Sequence, residues 1–118
     1  MIHMKFLMKV AWVSYSLINW LFDEILNHYH WDFCQIQFNY MDTEIQAGLK
    51  GYELAKAKDI PLIVMEPIKG GLLAKLPKEI SMMFSQNGNR KSDSSYALRY
   101  IASFDHVKVI LSGMSTLE

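Results

Sequence analysis

Residues 60–71, with the sequence IPLIVMEPIKGG, constrain the fold of this chain more than any other stretch. The first half is a continuous apolar run without polar alternation, which is typical of a parallel strand covered on both faces. The character then changes within a few positions, because ionisable and turn-forming residues follow the strand at once: Glu66, Pro67, Lys69, Gly70 and Gly71. This pattern predicts a buried strand that ends in a functional turn.

The composition of this turn is that of a ligand-binding loop. Glycines let backbone N–H groups approach an anion closely, and the ammonium group of Lys69 is a point charge suited to phosphate. Open parallel sheets and barrels bind their ligands at the carboxyl ends of the strands. We therefore expect a ligand site here, and the alternative is an ordinary turn between a strand and a helix.

Size and charge limit the class of protein. With 118 residues the chain has room for one domain with a modest core, and we expect a single domain over residues 1–118. Basic and acidic residues number 12 each, so the zero net charge gives no reason to propose nucleic acid or a membrane as partner. The single cysteine, Cys34, cannot form an intrachain disulfide. We expect it to be a buried, inert thiol in a reducing cytoplasm.

The amino end admits two interpretations. A basic stretch over residues 1–9 precedes an apolar stretch over residues 10–22, as in the first two parts of a secretory signal. No small-x-small cleavage site follows, and a bilayer-spanning helix needs about 20 apolar residues. We interpret the region as a strand followed by a helix, with a signal-like anchor as the alternative.

Apolar spacing and turn residues predict strands that alternate with helices. The expected strands are residues 10–15, 32–38, 61–65 and 107–111, and the expected helices are residues 16–27, 43–58, 72–76, a following piece to residue 84, and 92–103. Strands separated by helical crossovers form a parallel sheet with right-handed connections. Gly51 weakens the second helix by about 1 kcal/mol relative to alanine. The side chains expected to face the core from these helices are Leu17, Ile18, Trp20, Leu21, Ile25, Ile45, Leu49, Tyr52, Ala55, Ala97, Leu98 and Ile101.

Four blocks, taken together, resemble the carboxyl half of an aldo/keto reductase. They are WDFCQIQFNYMD (31–42), IPLIVMEPIKGGLLA (60–74), YALRYIAS (96–103) and VKVILSGMSTLE (107–118), in the order of the family. The resemblance covers residues 31–118 and is strongest to the bacterial and archaeal branch that often carries a ferredoxin-like iron–sulfur tail. It implies a partial (β/α)8 TIM barrel of about four parallel strands with crossover helices. The family transfers hydride from NADP or NAD cofactors in their reduced form to aldehydes or ketones.

The resemblance also implies which residues bind the cofactor. Gln35 matches the position that hydrogen-bonds the nicotinamide carboxamide, and Glu66 the position where other branches stack an aromatic ring on the nicotinamide. The remaining implied residues lie on the loop that follows the pyrophosphate and on the turn that meets the adenosine phosphate: Pro67, Lys69 and Gly70 on the first, and Gly113, Met114, Ser115 and Thr116 on the second. Gln37 and Asn39 alternate with Gln35, and we expect them in a polar network at the interior and mouth of the barrel.

The catalytic tyrosine, lysine, aspartate and histidine of the family come from the first half of its barrel, and no segment here matches them. We therefore expect no catalytic residue in this chain, and a truncated protein that is inactive alone. A single cysteine cannot hold an iron–sulfur cluster. The alternation of His28, His30, Asp32 and Cys34 raises the alternative of a metal site, but a helix end and its loop explain the histidines.

Three functions fit these observations. The first is a portion of an NAD(P)H-dependent aldo/keto reductase that acts on carbonyl substrates together with its missing half. The alternative is a catalytically dead module that binds nucleotide phosphate or pairs with another half-barrel. A third is a complete phosphate-binding barrel relative with unrelated chemistry. An open half-barrel leaves strand edges unpaired and inner apolar surface in water, so we expect aggregation or pairing with a second copy.

Overall fold

The structure, a computed structural model, describes residues 15–86 and 91–113, with side chains from Leu21 onward. This part of the chain has an α/β fold. Three short strands alternate with helices along the sequence. The strands are β1 (Cys34–Gln37), β2 (Leu62–Met65) and β3 (Val107–Ile110). The helices are α1 (Tyr15–His28), α2 (Gly48–Ala57), α3 (Lys78–Ser85) and α4 (Asp93–Ala102), with a short 3-10 helix at Leu72–Ala74.

The three strands form one parallel sheet in the order β1-β2-β3. Gln35 lies opposite Ile63, which in turn lies opposite Val109, with an irregularity between Leu62 and Ile63. Helix α2 connects the first pair of strands, and α3 and α4 connect the second pair. The predicted parallel order is confirmed for these strands. The predicted strand over residues 10–14 lies outside the described residues, and Tyr15 begins α1 instead of ending a strand.

One face of the sheet forms the core. The side chains of Cys34, Ile36, Leu62 and Val64 are all at most 3% exposed and pack against the helices. The helices contribute the other core residues: Phe22 and Leu26 from α1, Tyr52 and Ala55 from α2, and Ala97 and Ile101 from α4. Successive strand residues point to opposite faces, so this arrangement leaves Gln35, Gln37, Ile63 and Met65 on the other face.

Two predictions about helix faces were wrong. Among the α1 side chains that are described, from Leu21 onward, Phe22 and Leu26 are buried whereas Leu21 and Ile25 are only half-buried. Apolar residues stand next to each other at both positions, so either pair satisfies a four-residue spacing and the sequence does not choose between them. The predicted Leu17, Ile18 and Trp20 lie outside the described side chains. In α4, Leu98 is 41% exposed, whereas the neighbouring Ala97 is fully buried.

The second helix begins later than predicted. Residues 43–47 form turns, and α2 starts only at Gly48. Gln46 has a positive φ of 53°, which the interior of an α-helix cannot include, and Gly48, with φ of 48°, stands at the first helical position. At Gly48 a β-carbon would lie 2.2 Å from the carbonyl oxygen of Thr43, so only glycine fits there. The predicted start at residue 43 or 44 was therefore wrong for backbone reasons.

Among the described residues, the second face of the sheet is uncovered. Met65 is 38% exposed and Val109 45%, and Leu111, directly after β3, is 40% exposed. The expectation that β2 is covered on both faces is therefore not met within the described part. None of the described helices has the length and apolar character needed to cross a bilayer.

Candidate functional site

The parallel direction of the strands brings their carboxyl ends to one edge of the sheet, called here the carboxyl edge. Gln37 lies opposite Met65 at the ends of β1 and β2, and Val64 lies opposite Ile110 at the end of β3. The loops that follow are residues 38–47, 66–71 and 111–113. The turn with Glu66, Pro67, Lys69 and Gly70 therefore lies at the same edge as Gly113. Met114, Ser115 and Thr116 lie outside the described residues.

The turn after β2 has an unusual backbone. Glu66, Lys69, Gly70 and Gly71 all have positive φ, of 55°, 50°, 60° and 92°. The left-handed conformation costs a non-glycine residue about 1–2 kcal/mol, so Glu66 and Lys69 need compensating contacts. Residues in sparsely populated conformations persist only where the surroundings hold them, and they cluster at ligand sites. The turn is thus a candidate site by its backbone as well as by its composition.

Asn39 supplies the contacts that join this turn to the loop that follows β1. Its side chain is fully buried and forms four hydrogen bonds. Its Oδ1 accepts from the backbone N–H groups of Met41 at 3.0 Å and Asp42 at 2.9 Å, which makes an Asx turn. Its Nδ2 donates to the Glu66 carbonyl oxygen and to the Asp42 carboxylate, both at 3.2 Å. Asn39 thus belongs to a buried polar network at the carboxyl edge, and its place at the mouth of a barrel stays a prediction.

A buried ion pair gives the turn its second attachment. The ammonium of Lys69 donates to Oδ1 of Asp42 at 2.5 Å; the Asp42 side chain is 3% exposed and the Lys69 side chain 33%. Burial by itself raises the pKa of the Asp42 carboxyl. Several interactions outweigh burial, so the pKa lies below its ordinary value. They are hydrogen bonds from the side chains of Lys69, Asn39 and Gln37 and the positive charge of Lys69. Asp42 is therefore ionised at neutral pH and compensates the charge of Lys69.

Gln35 lies on the uncovered face of the sheet, two residues before the end of β1. Its Nε2 donates to the sulfur of Met65 at 3.3 Å, a weak acceptor, and the contact is exposed. The amide is therefore within reach of a ligand at the carboxyl edge. The carboxylate of Glu66 is exposed and lies 3.7 Å from where a β-carbon on Gly70 would stand, whereas Pro67 is buried.

Sequence reasoning missed Asp42. The residue stands within the block WDFCQIQFNYMD but received no role, because its partner Lys69 is 27 residues away. The available signal was an asparagine directly after the predicted strand, a residue type that forms an Asx turn with the backbone two residues on and so fixes the segment that contains Asp42. The structure also changes the expectation for Lys69, because an anion bound there would share the ammonium with Asp42.

A separate cleft of about 460 Å³ lies at the opposite edge of the sheet, between the connections that precede β1 and β2. Its lining includes His28, His30, Trp31 and Lys58. The Lys58 ammonium already donates to Asn27 at 2.6 Å and lies 3.3 Å from a carboxylate oxygen of Asp23. Within residues 15–86 and 91–113, no three histidine, cysteine, aspartate or glutamate side chains converge as a metal site.

Comparisons of the chain with protein-family models, with curated proteins and with solved structures find no match. The resemblance to aldo/keto reductases therefore rests on the four sequence blocks and stays a prediction. The carboxyl edge described above is the part of the molecule on which that prediction can be tested.

Proposed function

We propose that this chain is part of an NAD(P)H-dependent aldo/keto reductase and that its carboxyl edge binds the nicotinamide dinucleotide. The proposed fold is a partial (β/α)8 barrel in which the uncovered sheet face is the barrel interior. The catalytic groups for reduction of an aldehyde or ketone then come from the other half of the barrel, and the chain alone is inactive. The proposed location is the cytoplasm.

One observation carries this proposal: a left-handed, glycine-containing turn at the carboxyl end of a parallel strand, held in place by a buried network. At Gly71 a β-carbon would have nothing within 4 Å, and at Gly70 it would meet only the Glu66 carboxylate. The positive φ of both residues favours glycine, and the open space beside them lets a ligand approach the main chain. Lys69 places a cation in the same turn.

The amides of the uncovered face support the choice of ligand. Gln35 and Gln37 stand on the face that would line the barrel, beside Ile63 and Met65. A nicotinamide ring needs an apolar surface for its face and a hydrogen-bonding group for its carboxamide, and this face offers both. The position of Gln35 agrees with the role that the resemblance implies for it.

Isothermal titration of NADPH into the full chain tests the proposal. We expect saturable binding with one site per chain, and about tenfold weaker binding in Lys69→Met because a cation near the phosphates is lost. Lys50→Met is the matched control, since Lys50 is exposed on α2 and should leave binding unchanged. Failure of the wild-type chain to bind NADPH or NADH would refute the proposal.

A second measurement addresses the catalytic half. Oxidation of NADPH by an aldehyde, followed by absorbance, is expected only when the amino-terminal half of an aldo/keto reductase barrel is added. Turnover by this chain alone would show that the reacting groups lie within it, and would contradict their assignment to the other half.

An interaction module is the second candidate function. The exposed side chains of Met65, Val109 and Leu111 at the uncovered face favour it, because contiguous exposed apolar surface marks association sites. Light scattering after size exclusion is expected to show a dimer or larger species that Val109→Lys shifts towards monomer. Met82→Lys, which changes a methionine that is 67% exposed on α3, is the control. A wild-type monomer that melts cooperatively would count against this function.

A further inference from the structure

Asp42 is a buried carboxylate at the carboxyl edge that the resemblance leaves without a role. It is 2% exposed, so it cannot contact a ligand directly. Its two oxygens are divided between two neighbours: Oδ1 accepts from the Lys69 ammonium and Oδ2 from the Asn39 amide. The carboxylate is thus held on one side by the loop that follows β1 and holds the β2 turn on the other.

The position of this carboxylate is fixed by the backbone. Asn39 Oδ1 accepts from the N–H of Asp42 itself at 2.9 Å, and the amide group of the same side chain reaches both the Asp42 carboxylate and the Glu66 carbonyl. A rotation of the Asp42 side chain would break its bonds to both Lys69 and Asn39. A buried charge without these partners is costly, so the arrangement favours one geometry.

The consequence falls on Lys69. A free lysine side chain samples many rotamers, and ordering it on binding reduces affinity. Here the ammonium is already tied to Asp42, while one third of the side chain remains exposed to solvent. An ammonium has three N–H donors, and the bond to Asp42 uses one of them, so the others are available at the edge.

We propose that Asp42 is a positioning residue that holds the Lys69 ammonium at the carboxyl edge, where its remaining donors bind a phosphate oxygen of the dinucleotide. The inference rests on the proposed function and adds a residue that acts without touching the ligand. The alternative considers charge alone: the Asp42 carboxylate would then compete with the phosphate for the Lys69 ammonium and weaken binding. The two arguments predict opposite effects of removing the carboxylate charge.

Four proteins distinguish them: wild type, Asp42→Asn, Lys69→Met and the double variant. Dissociation constants are measured for NADPH and for inorganic pyrophosphate, with circular dichroism as the check on folding. We expect Asp42→Asn to weaken both ligands about fivefold to tenfold through loss of preorganisation. In the Lys69→Met background the same change is expected to have no effect, because Asp42 acts only through Lys69. A purely structural role would weaken binding in both backgrounds.

The outcomes separate this inference from the proposed function. If wild type binds neither ligand, both fall. If wild type binds and Asp42→Asn binds equally or more tightly, or loses the same factor in the Lys69→Met background, only the positioning role is overturned.

If Asp42→Asn does not fold, nuclear magnetic resonance of the wild-type protein tests the positioning role of Asp42 instead. The ammonium signal of Lys69, assigned by its loss in Lys69→Met, is expected to shift with pyrophosphate while retaining its bond to Asp42. Release of that bond on binding would overturn the inference.

Discussion

Asn39 and Glu66 connect the ends of β1 and β2: the side-chain amide of Asn39 donates to the Glu66 carbonyl oxygen over 3.2 Å, across 27 residues of sequence. Glu66 is the first residue after β2 and has positive φ. The bond therefore fixes a backbone group at the point where the chain leaves regular structure. The candidate site thus depends on a residue of the neighbouring strand connection.

Replacement of Asn39 should destabilise the whole fold. Asn39→Ala removes four hydrogen bonds from a fully buried side chain, and we expect the free energy of unfolding to fall by about 2–4 kcal/mol. Asn39→Asp keeps the acceptor for the Asx turn but places a second carboxylate against Asp42, so we expect a comparable loss at neutral pH. Urea unfolding measures both. Asn27→Ala, at an exposed asparagine, should stay within about 0.5 kcal/mol of wild type; a loss that small at Asn39 would contradict the argument.

Gly51 is expected to behave against helix propensity. Alanine would stabilise an exposed helix position by about 1 kcal/mol, but here the added β-carbon would lie 2.5 Å from Cβ of Ala47 and 3.5 Å from Cε1 of Phe22. We expect Gly51→Ala to lower the midpoint of urea unfolding, because Ala47 must move while the distance to Phe22 is an ordinary contact. Ala47→Gly in the same protein removes the closer contact and should restore part of the loss. If Gly51→Ala alone is more stable than wild type, the close contact with Ala47 is relieved by a small shift that costs less than the gain in helix propensity.

The strand order was predictable because short apolar runs alternate with helical spacing along the chain. The predicted helix over residues 92–103 also has a local signal at its start, because serine is a preferred helix cap and the Ser92 side chain accepts from the N–H of Ser95. Patterns within a few residues therefore sufficed for the elements and their sequence.

The remaining features depend on contacts between distant segments. The late start of α2 follows from the left-handed residues Gln46 and Gly48, which composition alone does not reveal. The pairing of Asp42 with Lys69 requires the tertiary register of β1 and β2, so no spacing rule could supply it. Leu98 was misassigned because a helix face is narrower than its apolar residues suggest.

Tyr40 and Tyr52 should respond differently to loss of their hydroxyl groups. The hydroxyl of Tyr40 is buried without a hydrogen-bond partner among the described residues, whereas that of Tyr52 donates to Asp105 at 2.6 Å. Tyr40→Phe is expected to leave the free energy of unfolding unchanged or raise it by up to about 1 kcal/mol. Tyr52→Phe should lower it by about 1–2 kcal/mol. Thermal unfolding of both variants gives the comparison, and a loss at Tyr40 equal to that at Tyr52 would reveal a partner for Tyr40.

The thiol of Cys34 should not react with thiol reagents in the folded protein. Its side chain is 1% exposed, and burial raises the pKa of the thiol to about 12. At pH 8 roughly one thiol in ten thousand would then be ionised, and the thiolate is the reactive form. We expect Ellman's reagent to label the native chain only as fast as it opens, and to label it within seconds in denaturing urea. Rapid labelling of the native protein at pH 8 would mean that β1 is accessible.

The contribution of Asp105 should vanish in acid. Hydrogen bonds from Tyr52 and then from Lys56 lower the pKa of the Asp105 carboxyl from 3.8 to about 2. A group whose pKa is depressed on folding stabilises the fold above its unfolded pKa, and this contribution is lost as the pH falls through the folded pKa.

The difference in urea midpoint between wild type and Asp105→Asn should therefore be constant above about pH 4 and shrink between pH 3.8 and 2. The other carboxyl groups titrate alike in both proteins, so their effect cancels in this difference. If the difference in urea midpoint stays constant down to pH 2, the ionised Asp105 carboxylate is not stabilised by these partners. In a Tyr52→Phe background the first of these hydrogen bonds is missing, so the folded pKa lies closer to 3.8. The decline should then be smaller and be complete at a higher pH.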